Sequence, residues 1–404
     1  MKFGIIKETK VPHEDRVVFT PDQCREMSET FENLQFEVQP YEFRCYSDNE
    51  YVSSGIPVNN DLSNCDILFG VKEMKIESLI TGARYCCFSH TIKKQASNKA
   101  LLKKILELQI TLIDYEKLTD EQGKRLVAFG TYAGVCGAYN AIWAYGKKSN
   151  TYLLPRLNTF NHYTEVIPEY KKMNWPGMKI VLTGTGRVGK GALRVLKDMG
   201  FKELDPEEFL NEGTPLFPVF TVLTSSDYIL PKDNGKVFDK EDYYANPEKY
   251  KANFLPYLRV ADIFINGIYW NPSAPKFFEL TDLKTADIQV QVIGDITCDI
   301  SPESSIPTTI RASSIAEPVY GIDRQTGKEV APYSIDAIDV MAIDNVANEL
   351  SRDASAFFGK QLIDFVVPEF FKTQSEMLQR ATIAQDGKLT ERYLYLSDYV
   401  NQES

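Results

Sequence analysis

Lys179-Ile180-Val181-Leu182-Thr183-Gly184-Thr185-Gly186-Arg187-Val188-Gly189-Lys190-Gly191-Ala192 is the stretch from which the fold can be read. A short apolar run stops at Gly184, the glycines fall as G-x-G-x-x-G, and Leu193 to Gly200 continues at helical spacing. Strand, tight turn and helix start, in that order, are what a dinucleotide pyrophosphate requires: unpaired N–H groups and the positive helix end then face the anion. Gly184 permits the turn, Gly186 lets the backbone approach the phosphates, and Gly189 packs the helix close to the strand, with Arg187 and Val188 inside the same turn. Three glycines at this spacing also occur in ordinary strand–helix turns, so the flanking pattern carries the weight.

Strand and helix patterns alternate before the motif. Lys2 to Ile6, Gln35 to Val38, Asp66 to Val71, Tyr85 to Ser89 and Thr111 to Tyr115 read as strands, several of them apolar throughout as in a buried parallel sheet. Thr20-Pro21-Asp22 is a helix start, and Lys93 to Leu108 has the spacing of an amphipathic helix. Gly134 to about Tyr145 is Ala- and Gly-rich and reads as a helix, whereas 149–176 has no clear period; His162 within it reads as an ordinary histidine.

After the motif come an acidic insertion at 203–212, a strand at 218–223, a helix-like stretch at 243–253 and strands at 262–270 and 290–296. A hairpin is expected at 319–330, a helix starting at 342–345, and helical segments thereafter that pack back on the first domain. The expected fold class is α/β, with two Rossmann-like parallel-sheet domains. Residues 1–134 with 346–404 form the substrate domain and 135–345 the dinucleotide-binding domain. Ligands of such sheets sit at the carboxyl ends of strands, so Ile268, Tyr269 and Asp295 become candidates by position.

The chain has 404 residues and a net charge of −11, which argues against a nucleic-acid or acidic-membrane partner. The seven cysteines show no C-x-x-C spacing and read as reduced thiols. No run is apolar enough for a membrane span and no leader is visible, so a cytoplasmic protein is expected. No metal motif, Walker loop or nucleophile elbow is present in the sequence.

With three histidines in the chain, His90 at the end of a buried strand is the natural acid or base, although a capping or packing role is equally open. Lys72 and Glu73 follow another strand; Lys72 is either a solvated cation or, in a cleft, a lysine of lowered pKa. Arg16, Lys93 and Arg125, with Glu73, Asp114 and Glu116, also lie near strand ends.

Glu8-Thr9-Lys10, Arg16 and Thr20-Pro21 resemble the opening of the alanine dehydrogenase and transhydrogenase superfamily. Phe88-Ser89-His90-Thr91-Ile92-Lys93, Leu112-Ile113-Asp114-Tyr115-Glu116, Val127-Ala128-Phe129-Gly130, Ala133-Gly134-Val135, Phe264 to Trp270 and Ser334-Ile335-Asp336 are similar to the lysine-forming saccharopine dehydrogenases. They also resemble the lysine–ketoglutarate reductase lobe of the bifunctional lysine-degrading enzymes. The resemblance implies a cleft between two domains and interconversion of saccharopine with lysine and 2-oxoglutarate by a nicotinamide cofactor. It implies His90 and Lys72 as the acid–base pair and Phe129 as a substrate neighbour. Saccharopine carries three carboxylates, for which Arg16, Arg125 and Lys93 are suited; Glu73, Glu116 and, more weakly, Glu14 suit its amino groups.

The cofactor reading favours NAD, with NADP open. Asp227 is placed to accept from ribose hydroxyls, while Thr224, Ser225 and Ser226 equally suit a 2′-phosphate, and no arginine stands there. Two alternatives stand beside this reading: an alanine dehydrogenase-like enzyme, and a nucleotide-binding sensor without catalysis.

Overall fold

A computed structural model describes residues 1–233, 235–285 and 287–401. The chain divides into two compact units, one of Met1–Phe129 with the chain from Ser351 onward, the other of Gly130–Leu350. The divisions fall slightly outside the expected 134/135 and 345/346. Gly130–Ser149 is one unbroken helix packed on Arg187–Asp198, and the turn Val346–Leu350 packs on that same helix.

The first unit holds a seven-stranded sheet in the order Lys388–Leu389, Thr382–Gln385, Thr111–Asp114, Arg84–Cys87, Ile67–Phe69, Lys2–Ile5, Gln35–Val38. The last five strands run parallel. Their apolar runs are buried: Ile67, Leu68, Phe69, Cys86 and Cys87 are fully inaccessible. The helix Pro21–Thr30 starts as its sequence dictates. Thr20 Oγ1 accepts from the Gln23 N–H at 3.2 Å, and Gln23 Oε1 accepts from the Thr20 N–H at 3.0 Å, which closes a capping box. Cys24 and Met27 go to the core.

Two expectations change here. The helix expected from Lys93 begins only at Lys99, because His90 and Lys94 adopt left-handed backbone and break the preceding segment into short turns. The C-terminal region does pack on the first unit, through Ser351–Phe365, but it is not purely helical. Thr382–Gln385 adds antiparallel to Thr111–Asp114, and so covers an otherwise open sheet edge.

The second unit holds an eight-stranded sheet in the order Glu329–Val330, Tyr320–Asp323, Ala337–Met341, Val292–Asp295, Ile263–Asn266, Lys179–Thr183, Val219–Leu223, Lys202–Glu203. All pairings are parallel except the two made by Tyr320–Asp323, with Ala337–Met341 and with its hairpin partner Glu329–Val330 at the edge. Ala337–Met341 is a strand that the sequence pattern left unassigned, and the helix expected to start at 342–345 begins as an α-helix only at Ser351. The strand's fully buried Asp339 interrupts the apolar pattern and is matched by Lys148 Nζ at 3.3 Å.

The irregular 149–176 stretch contains a helix, Tyr163–Tyr170, despite Pro168 inside it, because Tyr163, Val166 and Tyr170 are buried on one face. The acidic insertion forms the edge strand Lys202–Glu203 and the helix Pro206–Asn211, anchored by buried Phe209. Only Lys240–Ala245 of the later charged region is α-helical; Tyr250–Ala252 pairs antiparallel with Ile229–Pro231. All seven cysteines are free thiols. No helix of the described residues is long and apolar enough to cross a membrane.

Candidate active site

In the first unit, the parallel strands deliver their last residues to one end of the sheet. Arg84–Cys87 leads through Phe88 and Ser89 to His90, whose φ of 53° lies in the left-handed region. Such backbone is tolerated only where the surroundings fix it. Ile67–Phe69 leads to Lys72 and Glu73, and Thr111–Asp114 leads to Glu116. These side chains converge. Glu73 Oε2 is 3.7 Å from His90 Nε2, Glu116 Oε1 is 4.0 Å from His90 Nδ1, and Lys93 Nζ is 3.2 Å from Glu116 Oε1. Glu73 Oε2 is buried and has no hydrogen-bond donor among the described residues.

Beneath this cluster lies a layer that the sequence reading did not resolve. The carboxyl oxygens of Glu8 accept from the N–H groups of Val71 and Lys72 at 2.6 and 3.0 Å, which fixes the turn that carries Lys72. Glu14 grips Arg16 through both carboxylate oxygens, at 2.7 Å to Nε and 2.6 Å to Nη2. The Arg16 guanidinium lies 4.1 Å from the Phe129 ring centroid and is almost fully buried. Arg16 is therefore largely committed within the protein. Arg125 stands over Phe88 at 5.0 Å and donates through Nε to the Val127 carbonyl, and Phe129 stacks on Phe358. A separate hollow of about 1100 Å³ in this unit, lined by residues such as His13, Tyr41 and Phe43, shares only Glu8 with these groups.

Charge distribution follows from burial and neighbours. Burial, and then the Lys72 ammonium, push His90 down to about 4 against the opposing pull of Glu73, so the imidazole is neutral at pH 7. Burial, with Glu14 nearby, pushes Glu8 up to about 8. Burial alone would also raise Glu14, but the paired Arg16 outweighs it and holds that carboxyl below its ordinary value. An NMR titration of the His90 ring in the unliganded protein should give a midpoint near 4. Lys72→Met should move it upward toward the ordinary histidine value of 6.5, and Glu73→Gln should move it further down. The sign for stability follows. The unfolded chain binds this proton at a higher pH than the folded one, so the His90 contribution is full above about 6.5 and is lost as pH falls toward 4.

Asp114 ties the cluster together. Fully buried, its Oδ2 accepts from the N–H of Ser89 at 3.1 Å and from the Ser89 hydroxyl, and its Oδ1 accepts from the N–H of Glu116 at 2.7 Å. Ser89 Oγ in turn pairs with Thr91 Oγ1 at 2.8 Å. One carboxylate thus clamps the segment around His90 and the start of the segment bearing Glu116. Asp114→Asn would place an amide N–H₂ against one of these donors and orphan it, a loss of ~1–3 kcal/mol. Thermal unfolding should show a Tm several degrees lower, whereas Glu107→Gln, on an exposed helix face, should leave it unchanged.

In the second unit, the glycine turn opens on a cleft of about 940 Å³. Gly184 has φ 98°, a backbone only glycine adopts without strain, and a Cβ at Gly189 would overlap the Gly184 carbonyl. A Cβ at Gly186 would meet nothing within 4 Å: it faces open space over the start of the helix Arg187–Asp198. This arrangement fits a pyrophosphate cradle. Gly184, Gly186, Ser225, Ser226, Ile268 and Tyr269 line the cleft. Arg187, Val188 and Gly189 form the first turn of the helix.

Two candidates from the sequence lie elsewhere. The Asp227 carboxylate is turned into a capping box, accepting from the N–H and hydroxyl of Thr224 at 2.6 and 2.8 Å, and is not among the cleft-lining residues. Asp295 is fully buried. It accepts from Asn266 Nδ2, Thr297 Oγ1 and Thr309 Oγ1 at 3.0, 2.7 and 2.6 Å, so it braces the strand ends from below.

Residues 4–136 match the family model described as the alanine dehydrogenase/PNT N-terminal domain. The chain is 31% identical over 440 residues to the alpha-aminoadipic semialdehyde synthase of Arabidopsis thaliana, an alignment that covers 97% of this chain and 41% of that protein. The chain thus spans less than half the length of that relative. It is 26% identical to a saccharopine dehydrogenase [NAD(+), L-lysine-forming] of Emericella nidulans, with 90% of each chain covered. Among solved structures, an L-alanine dehydrogenase superposes with a TM-score of 0.64 at 13% identity, covering 99% of this chain and all of that one, which speaks for the fold. Residues 4–136 thus match the alanine dehydrogenase/PNT N-terminal domain, and the chain is similar over most of its length to the alpha-aminoadipic semialdehyde synthases and to the lysine-forming saccharopine dehydrogenases.

Proposed function

We propose that the protein is a nicotinamide-dependent saccharopine dehydrogenase of the lysine-forming type. It would join the ε-amine of lysine to the ketone of 2-oxoglutarate with loss of water, and take up a hydride and a proton to give saccharopine; the reverse reaction regenerates both substrates. The observation that carries this reading is the convergence of His90, Lys72, Glu73 and Glu116 at the strand ends of the first unit, in a chain similar to such enzymes over most of its length.

A neutral imidazole accepts a proton at neutral pH. His90 takes it from the lysine ammonium or the carbinolamine, and returns it to the departing hydroxyl. Lys72 exchanges the proton on the secondary amine. The bare carboxylate oxygen of Glu73, with Glu116 opposite, offers an acceptor to a cationic amine. Lys93 and Arg125 supply the charge for substrate carboxylates, Arg16 acts from beneath through Phe129, and the reduced nicotinamide supplies the hydride when bound.

The test is cofactor oxidation with lysine and 2-oxoglutarate, each omitted in turn, against pyruvate with ammonium. The reading requires turnover with the first pair alone and none when either member is missing. Turnover only with pyruvate and ammonium would assign the alanine dehydrogenase reaction instead.

A further inference from the structure

The segment 71–75 carries both Lys72 and Glu73 of the candidate site, yet it belongs to no helix or strand. Backbone outside a ladder must find its hydrogen-bond partners elsewhere. Here three of its N–H groups go to two consecutive side chains. The Glu8 carboxyl takes those of Val71 and Lys72 at 2.6 and 3.0 Å, and Thr9 Oγ1 takes that of Lys75 at 3.0 Å. The side chains of Val71 and Met74 are buried, while Lys72 and Glu73 between them are half-buried.

The sheet brings the two segments alongside each other. Lys2–Ile5 pairs parallel with Ile67–Phe69, Ile5 beside Phe69, and the Ile6 N–H continues the ladder to the Phe69 carbonyl at 3.0 Å. Glu8 and Thr9 follow directly and reach the segment 71–75 just past the strand end. Gly70 makes room for this: a Cβ there would lie 2.8 Å from Ile6 Cδ1 and 3.6 Å from Glu8 Oε1. On its other side, the Val71 carbonyl accepts from the Phe88 N–H at 3.1 Å, which joins the segment to the chain that leads to His90.

We infer that Glu8 and Thr9 are positioning residues for the reaction: together they clamp the two ends of the segment 71–75 and so hold Lys72 and Glu73 at His90. The inference rests on the proposed reaction, in which Lys72 exchanges a proton. A misplacement of about 1 Å at such a group costs up to ~10²-fold in rate. Position 8 requires a carboxyl because both of its oxygens accept; a glutamine would turn its N–H₂ toward one of the two N–H groups. Position 9 requires a hydroxyl, so serine serves and valine, of similar shape, does not.

Two readouts on the full chain test it: kcat with lysine, 2-oxoglutarate and a reduced nicotinamide, and the NMR titration of the His90 ring without substrate. The charges facing that ring are Lys72, Glu73, Lys93 and Glu116, and Lys72 outweighs Glu73. Release of the segment should therefore raise the midpoint. Glu8→Gln should lower kcat by about 10-fold or more and raise the midpoint above about 4. Thr9→Val should do both to a smaller extent, and Thr9→Ser should restore what Thr9→Val loses. Should Glu8→Gln fail to fold, the Thr9 pair decides. Variants that lower only Tm, with kcat and the midpoint unmoved, overturn the positioning role and leave Glu8 and Thr9 as ordinary packing. A wild-type chain without turnover of lysine and 2-oxoglutarate overturns the reaction, whereas a raised midpoint in Glu8→Gln and Thr9→Val still upholds the clamp.

Discussion

His90→Ala is expected to lower kcat for the condensation of lysine with 2-oxoglutarate by about 10²-fold or more while the dinucleotide binds as tightly as before. The two halves of this result have separate origins. The imidazole belongs to the first unit, held between Glu73 and Glu116, and the glycine cradle belongs to the second. Removing the ring takes away the group that moves protons at the carbinolamine and leaves the cradle unchanged. The loss should be largest near neutral pH, where His90 is unprotonated. Lys72→Met should also slow the reaction, and should raise the His90 titration midpoint at the same time. A nucleotide-binding sensor predicts no change in any measured behaviour of His90→Ala. Steady-state kinetics alongside calorimetric titration of the reduced cofactor decides between them.

Substitutions in the glycine turn should produce the second large effect, and they should divide. Gly189→Ala puts a methyl group onto the Gly184 carbonyl, where backbone stands on both sides and no side chain is free to rotate away. The helix must lift from the strand, at ~1–3 kcal/mol or more, so both Tm and dinucleotide affinity should fall. Gly186→Ala meets nothing in the protein, so Tm should hold, but the methyl enters the space over the helix start that the phosphates require. Its cofactor dissociation constant should rise by at least about 10-fold at unchanged stability. Gly213→Ala, with nothing nearby and outside the cleft, is the control and should change neither. If Gly186→Ala bound the dinucleotide normally, the turn would not be the pyrophosphate cradle.

The parallel strands were legible because their burial on both faces leaves continuous apolar runs, such as Ile67 to Phe69 and Ile263 to Ile265. Ala337–Met341 escaped because its buried Asp339 breaks the run, and its burial is made tolerable by the Tyr333 N–H and by Lys148, which is far away in sequence. Thr382–Gln385 escaped for a related reason: four residues at a sheet edge carry little pattern of their own, and the pairing with Thr111–Asp114 supplies the order.

The candidate site divides the same way. His90, Lys72, Glu73 and Glu116 were readable as residues just past strand ends, where such sheets place their chemistry. Which of the surrounding charges are already spent was not readable. Arg16 is taken by Glu14, Asp114 by Ser89 and Glu116, and Asp227 by the Thr224 cap. The capping box does have a local signature, Thr-Ser-Ser-Asp, that marks the carboxylate as engaged.

The assignment as a lysine-forming saccharopine dehydrogenase is tested most directly by following atoms into product. Incubation of the full chain with ε-¹⁵N-lysine, 2-oxoglutarate and a reduced cofactor deuterated at the transferring carbon should yield saccharopine that retains the ¹⁵N and gains one deuterium, read by mass spectrometry. Deuterium in alanine when pyruvate and ammonium are supplied, with none in saccharopine, would contradict the account.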